Sequence, residues 1–216
     1  MNRTYVPENL NVDDTHEVSK LYRHLLQREI PVDSAKLRQW ILDWSELESV
    51  LGEVSCRRYV AMTCNTADEK AAKAYTDFVE NIQPIMNEYD DKLNKKLVAH
   101  PAKDALQGEF GEWFKGVQVS LDLFSPDNIA LETEENKEIQ AYQKITGGMS
   151  VEFDGETKTM QQMAAYMERT DRELRERAWR TMWERRLKDK DALDKSLDNL
   201  FAIRKKKKKN AHCKDF

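Results

Sequence analysis

The chain has 216 residues, 40% of them hydrophobic and 34% charged, with only seven Gly, five Pro and three Cys. That length supports one domain with a real core, or two small subdomains, and the unmatched cysteines (Cys56, Cys64, Cys213) speak against a disulfide framework and for a reducing compartment. The formal charge of -4 is uneven, because residues 204–216 carry +6 and leave -10 for residues 1–203, a poor footprint for a nucleic-acid-binding domain.

A chain so poor in turn formers and so rich in Leu, Glu, Lys, Ala and Gln reads as mainly helical. The N-terminal MNRTYVPENLNVDD lacks an apolar signal-peptide core, and no stretch is long and apolar enough to span a membrane, so a cytoplasmic location is expected.

In chain order, Asp13 or Asp14 can cap a first helix with Val18, Leu21, Tyr22, Leu25 and Leu26 on one face, ended by Pro31. Asp33-Ser34 opens a long helix whose Trp40, Trp44, Leu47, Leu51 and Val54 step by fours and threes. Thr66 with Glu69 reads as a capping box for a second long helix carrying Ala71, Tyr75, Phe78, Ile82, Ile85 and Tyr89. Two such helices, so close in sequence, bury their stripes only as an antiparallel pair. Pro84 lacks an amide proton and should kink or interrupt the second helix at residues 81–83.

After His100-Pro101, residues Phe110, Trp113, Phe114, Val117, Leu121 and Phe124 have helical spacing, although Gly108, Gly111 and Gly116 weaken a continuous helix. Residues 132–145 read as a further helix, broken by Gly147-Gly148. Met149, Val151 and Phe153 then alternate with Ser150 and Glu152 and run into Asp154-Gly155, which predicts a hairpin with a two-residue turn near residues 149–158. Thr159 with Gln162, and Thr170 with Glu173, form capping boxes. The helix opened by the second carries Leu174, Ala178 and Met182 beside Trp179 and Trp183, and a last helix from Asp191 carries Leu193, Leu197, Leu200 and Phe201. Burial is the expected fate of Trp40, Trp44, Trp179 and Trp183, because large aromatics dominate core area.

The run ITGGMSVEFDGETKTMQQM, followed by DRELRERAWRTMWERRLKDKDALD, resembles the N-terminal half of oligoendopeptidase F and its relatives, zinc metallopeptidases of the thimet-oligopeptidase type. The blocks REIPVDSAKLRQWILDWSELESVL, YVAMTCNTADEKAAKAYTDFVENIQP, KLNKKL and DNIALETEENKEIQAYQKI are similar to that family in the same order, so the resemblance reaches to about Arg204. It implies hydrolysis of short peptides with a zinc held by a downstream His-Glu-x-x-His helix and a further carboxylate, the motif Glu acting as general base. It also implies that the N-terminal part walls a deep cleft over the catalytic half.

No zinc ligand or catalytic residue is expected within this chain. His16, His24, His100 and His212 include no pair at i, i+4 with the intervening Glu, and His16-Glu17 is followed at position 20 by Lys20. Glu152, Asp154 and Glu156 flank the hairpin turn and could form an acid and base pair, but they fall on the polar phase of the alternation, where solvated charges are expected.

The expected architecture is therefore mostly α: a helical subdomain over 1–100 with the long antiparallel hairpin, a second over 101–203 with the β-hairpin, and a basic tail, 204–216, fraying after about Arg204. Three readings of the lysine run stand side by side: a solvated helix end, a nucleic-acid or anionic-membrane contact, and an end left without its partner half. The first and third are favoured. The expected partners are a downstream catalytic half and short peptides, not nucleic acid or membrane, and zinc belongs to the full-length family. The alternative is a free-standing helical interaction module that contacts its partner through the basic tail.

Overall fold

Aspartates start the helices: Asp14, Asp33, Asp68 and Asp171 each accept from backbone N–H groups of the first turn that follows, satisfying donors a helix leaves unpaired. The computed structural model describes residues 3–214. Its elements are α1 (Thr15–Gln27), α2 (Ser34–Cys64), α3 (Glu69–Asn81), α4 (Gln83–Val98), a 3₁₀ turn (Pro101–Leu106), α5 (Gln107–Leu123), α6 (Asp127–Gly147), β1 (Ser150–Phe153), β2 (Glu156–Thr159), the short α7 (Met160–Ala164), a second 3₁₀ turn (Ala165–Glu168), α8 (Arg172–Leu187) and α9 (Lys190–Asn210). The mostly α fold with one small β-hairpin is as the sequence reads.

Two caps differ from expectation. Asp68 and Asp171, not Thr66 and Thr170, cap α3 and α8, because a carboxylate at the positive end of a helix is a stronger acceptor than a hydroxyl. Thr66 packs elsewhere: a Cβ added at Gly147 would come within 2.6 Å of its methyl carbon, so the loop between α2 and α3 meets the end of α6 only because residue 147 has no side chain. The third expected box is present, with Gln162 N–H donating to Thr159 Oγ1 at 3.2 Å and Thr159 N–H donating to Gln162 Oε1 at 2.8 Å.

α2 and the α3–α4 pair run antiparallel. Arg58 donates to the Ala74 carbonyl at 3.2 Å, and Tyr59 meets Tyr75 edge-on with ring centres 5.5 Å apart. Pro84 interrupts the second arm as its missing N–H requires, with Ile82 as the joint between α3 and α4. Tyr22 of α1 stacks on Tyr89 of α4 at 5.1 Å.

The first core gathers Trp40, Leu47, Leu51, Phe78, Leu93 and Leu97 and extends to Phe114 and Val117 of α5. Burying those last two keeps α5 helical through its three glycines. The start of α6 at Asp127 is five residues earlier than expected.

Met149, Val151 and Phe153 point into a second core with Met163, Ala178 and Met182. The strands are antiparallel, Phe153 opposite Glu156, and the two turn residues Asp154 and Gly155 have φ of 53° and 80°, the type I′ geometry that matches strand twist.

The lysine run departs from expectation. α9 continues through it to Asn210, antiparallel to α6, so that Arg204 and Lys207 donate to Glu135 at 2.6 and 2.9 Å. Asn128 of α6 donates to the Lys207 carbonyl at 3.1 Å and accepts from Asn210 at 2.9 Å. Ion pairing across two helices replaces the apolar face that the run lacks, and cations at a helix C-terminus complement its dipole. Asp215 and Phe216, also within the tail expected to fray, lie outside the described residues, as do Met1 and Asn2.

Candidate functional site

α8 carries apolar residues on two adjacent stripes, and one stripe can face only one partner. The small side chain of Ala178 lets the helix settle closely on the hairpin, where Ala178 and Met182 are buried. The other stripe, Trp179, Trp183 and Leu187, stays outside. Trp179 is 51% and Trp183 43% exposed, a correction to the expectation of burial, whereas Trp40 and Trp44 are buried. The two exposed indoles lie 6.2 Å apart in a tilted pair, and the Arg186 guanidinium sits 4.9 Å above the Trp183 ring.

α9 extends this surface. Its Ser196 and Ile203 are buried, and Leu197 and Phe201, one position or more round the helix from that buried side, are exposed. Trp183 and Leu187 also line a cleft of about 480 Å3 with Tyr142 of α6, Met149 and Met160 beside the hairpin, and Leu193 of α9. Lys190 and Asp194 stand in the same cleft 2.5 Å apart, and that hydrogen bond holds the Lys190 ammonium above the ordinary lysine range. The Asp194, Leu197, Phe201 spacing of three and four continues the cleft's line along α9. The arrangement is an apolar face with a cationic and zwitterionic rim. Chemically it can hold another surface and supplies no reacting group.

Of the other residues weighed from sequence, the hairpin carboxylates and two of the histidines have partners of their own. Glu152 accepts from the Thr157 hydroxyl, Glu156 pairs with Lys158, and Asp154 pairs with Arg177 at 2.8 Å, so the hairpin carboxylates face separate partners and form no acid and base pair. The Lys158 hydrogen bond holds the Glu156 carboxyl below its usual range.

His24 stacks on Tyr5 with ring centres 5.7 Å apart, and its Nδ1 lies 3.2 Å from the tyrosine hydroxyl. His100 donates from Nε2 to the Ile30 carbonyl at 3.2 Å and accepts at Nδ1 from the Ala102 N–H. Among the described residues no three His, Cys, Asp or Glu side chains converge as a metal would require, so a zinc does not fit the side chains present.

The exposed stripe was the functional feature to find in sequence. Trp179, Trp183 and Leu187 repeat every four residues directly beside Leu174, Ala178 and Met182, and a helix apolar on two neighbouring stripes needs two partners.

The chain belongs to the Peptidase M3 N-terminal domain family, which it matches over residues 8–124, more than half its length. Among solved structures it is similar to PZ peptidase A in complex with an inhibitor, at 21% identity and a TM-score of 0.84, over 97% of this chain and 37% of that one. It is likewise similar to a protein of Bacillus anthracis assigned as an oligoendopeptidase F, at 20% identity and a TM-score of 0.84, over 99% of this chain and 39% of the other. At identities this low, the TM-scores show a shared fold alone. The chain spans about two fifths of the length of these structures. Among curated proteins nothing matches it.

Proposed function

We propose that this chain is the N-terminal, cleft-walling part of a zinc-dependent oligoendopeptidase that hydrolyses short peptides, and that the α8–α9 face seats the polypeptide corresponding to the rest of its structural relatives. One observation carries the reading: a chain matching about two fifths of those relatives keeps Trp179, Trp183 and Leu187 of α8 and Leu197 and Phe201 of α9 exposed. Several large apolar side chains in one region mark an interaction surface rather than scattered exposure. The zinc and its general base would be contributed by that remaining part, because among the described residues no three His, Cys, Asp or Glu side chains converge on a metal. What this chain contributes is a wall, and a wall that closes a deep cleft favours short flexible peptides over folded substrates.

Three free cysteines support a reducing compartment, and among the described residues no helix is long and apolar enough to cross a membrane. A second reading, a free-standing interaction module, draws on Lys205, Lys206 and Lys209, which are exposed at the end of α9.

The test is a quenched fluorescent peptide, offered first to this chain with and without zinc and then to the chain coexpressed with the polypeptide encoded in the same frame or beside it. Chelator-sensitive turnover is expected only in the second case, and only if that polypeptide contains His-Glu-x-x-His. Zinc-dependent turnover by the repurified chain alone would overturn the division of labour. Absence of any such polypeptide would favour the interaction module.

A further inference from the structure

Between α2, α4 and α5 lies a cavity of about 510 Å3, a volume ordinary for a small-molecule site, and neither the family resemblance nor the α8–α9 face accounts for it. Its walls are aromatic and aliphatic: Trp44 and Ile41 from α2, Phe110, Trp113 and Val117 from α5. The ring centres of Trp44 and Trp113 are 5.7 Å apart, and those of Phe110 and Trp113 are 6.0 Å apart. Its polar end is acidic. Glu48 accepts from the Tyr22 hydroxyl at 2.5 Å and from the Trp44 indole N–H at 3.4 Å, and Asp90 accepts from the Asn94 amide at 3.0 Å.

These are neutral donors. Among the described residues no lysine, arginine or histidine acts on either carboxylate, burial raises both carboxyls above their ordinary range, and the charge of Asp90 raises Glu48 further. Two half-buried carboxylates whose donors are all neutral, set at the end of an apolar cavity, are most simply stabilised by a cation from outside the chain.

The acidic end of the site continues beyond it. The cavity adjoins another of about 290 Å3 that shares Asp90, Asn94 and Ser120 and adds Asp91. Asp91 is only 8% exposed; its Oδ2 is taken by Lys95 at 2.6 Å, but its buried Oδ1 has no hydrogen-bond donor among the described residues.

We propose that this cavity binds a small organic cation, a primary ammonium on an aromatic or aliphatic body, with the ammonium received by Glu48 and Asp90 and the body held among Trp44, Phe110 and Trp113. The division follows from the two ends of the site. The ammonium has three donors and a full charge for the carboxylates, and the rings offer apolar area and faces that attract a cation. An organic cation fits better than a metal ion, because most of the wall is aromatic and aliphatic and, among the described residues, no three His, Cys, Asp or Glu side chains gather there.

The inference does not depend on the peptidase reading, and its test uses the 216-residue chain alone. The probe is 2-phenylethylammonium, titrated while the indole N–H signals of Trp44 and Trp113 are followed by NMR, with neutral 2-phenylethanol as the isosteric control. The ammonium is expected to bind and to shift those two indoles, and the alcohol to bind at least tenfold more weakly. Glu48→Gln and Asp90→Asn should each weaken the ammonium at least tenfold and leave the alcohol unchanged. Equal affinity for ammonium and alcohol in the native chain would overturn the proposal with no variant needed. So would shifts confined to other tryptophans, no binding at millimolar probe, or full affinity in both folded variants.

Discussion

Lys96 and Trp40 donate to the same backbone oxygen. The ammonium and the indole N–H reach the Leu25 carbonyl at 3.2 and 2.9 Å, and the ammonium lies 5.5 Å from the centre of the Trp40 ring. Lys96 also donates to the carbonyls of Leu26 and Arg28, at 2.7 and 2.5 Å, so one cation from α4 closes the C-terminal end of α1, where carbonyls have no partner within the helix. Burial first, and the nearby Arg28 second, hold this ammonium below the ordinary lysine range. Replacing it with an apolar side chain of similar length strands the Leu26 and Arg28 carbonyls, each worth about 1–3 kcal/mol when left unsatisfied and buried. Lys96→Met is expected to lower the urea-derived stability by at least that single-group amount. A loss under about 0.5 kcal/mol, the range of an ordinary surface change, would refute the capping role.

Glu46 fastens the N-terminal strand of chain to α2. It accepts from the N–H groups of Thr4, Tyr5 and Val6, the shortest at 2.8 Å, and from the Thr4 hydroxyl at 3.0 Å. Burial alone would raise its carboxyl, but these donors outweigh it and hold the group below the usual glutamate range. A carboxyl depressed in the folded state binds fewer protons there than in the unfolded chain. Its stabilisation is therefore present above the unfolded value, about pH 4.3, and is lost as pH falls through the folded value. Glu46→Gln should reduce stability at pH 7 by about 1–3 kcal/mol and flatten the decline below pH 4.3. Parallel acid-unfolding curves for the two proteins would refute this.

Gly155 has room for a side chain, since no atom lies within 4 Å of where its Cβ would be, but its φ of 80° suits few residues other than glycine. The penalty of Gly155→Val is therefore one of backbone conformation, about 1–2 kcal/mol for an L-residue held left-handed. Glu152→Ala, on the solvent side of β1, should lower the melting temperature clearly less. Equal shifts in melting temperature would mean that the turn does not require the left-handed conformation.

The end of α9 should be protected in solution. Asn128 and Glu135 hold it from α6, and burial, which by itself raises the Glu135 carboxyl, is outweighed by hydrogen bonds from Lys207 and Arg204 that bring it below its ordinary range. Amides from Lys205 to Asn210 are expected to exchange slowly, and Asn128→Ala should speed exchange there while leaving α1 and α2 unaffected. Fast exchange of residues 205–210 in the native chain would restore the frayed tail that composition suggests.

Trp179 and Trp183 touch solvent in this chain, so Trp183→Glu is expected to change stability by no more than about 0.5 kcal/mol. The same substitution should abolish association with the polypeptide that restores peptide hydrolysis. A loss of stability above about 2 kcal/mol, on the scale of emptying a core, would mean that Trp183 belongs to the core of this chain and not to an interface.

Local chemistry reaches a long way here. The 4-3 stripes of α2, α3 and α4, the interruption at Pro84, the Asp154-Gly155 turn and the Thr159–Gln162 box are all legible in sequence, because each depends on residues a few positions apart: a helical face, a missing N–H, a left-handed φ, a side chain returning to its own backbone. The resemblance to oligoendopeptidase F was likewise carried by the order of residue blocks. What tertiary structure decided are matters of which surface meets which. Trp40 and Trp179 both sit on apolar stripes at i, i+4, yet one is enclosed by α1 and α4 while the other faces water, because the hairpin covers only the Ala178–Met182 side of α8. The lysine run has no apolar face and reads as a solvated end, but α6 places Glu135 beside Arg204 and Lys207, some seventy residues away in sequence. Glu48 and Asp90 lie on different helices, and only the packing of α2 against α4 brings two carboxylates with neutral donors to one cavity. Stripes and turns are properties of neighbours along the chain, whereas burial, ion pairing and cavities arise between elements, and their free energy is set by surroundings that no local pattern contains.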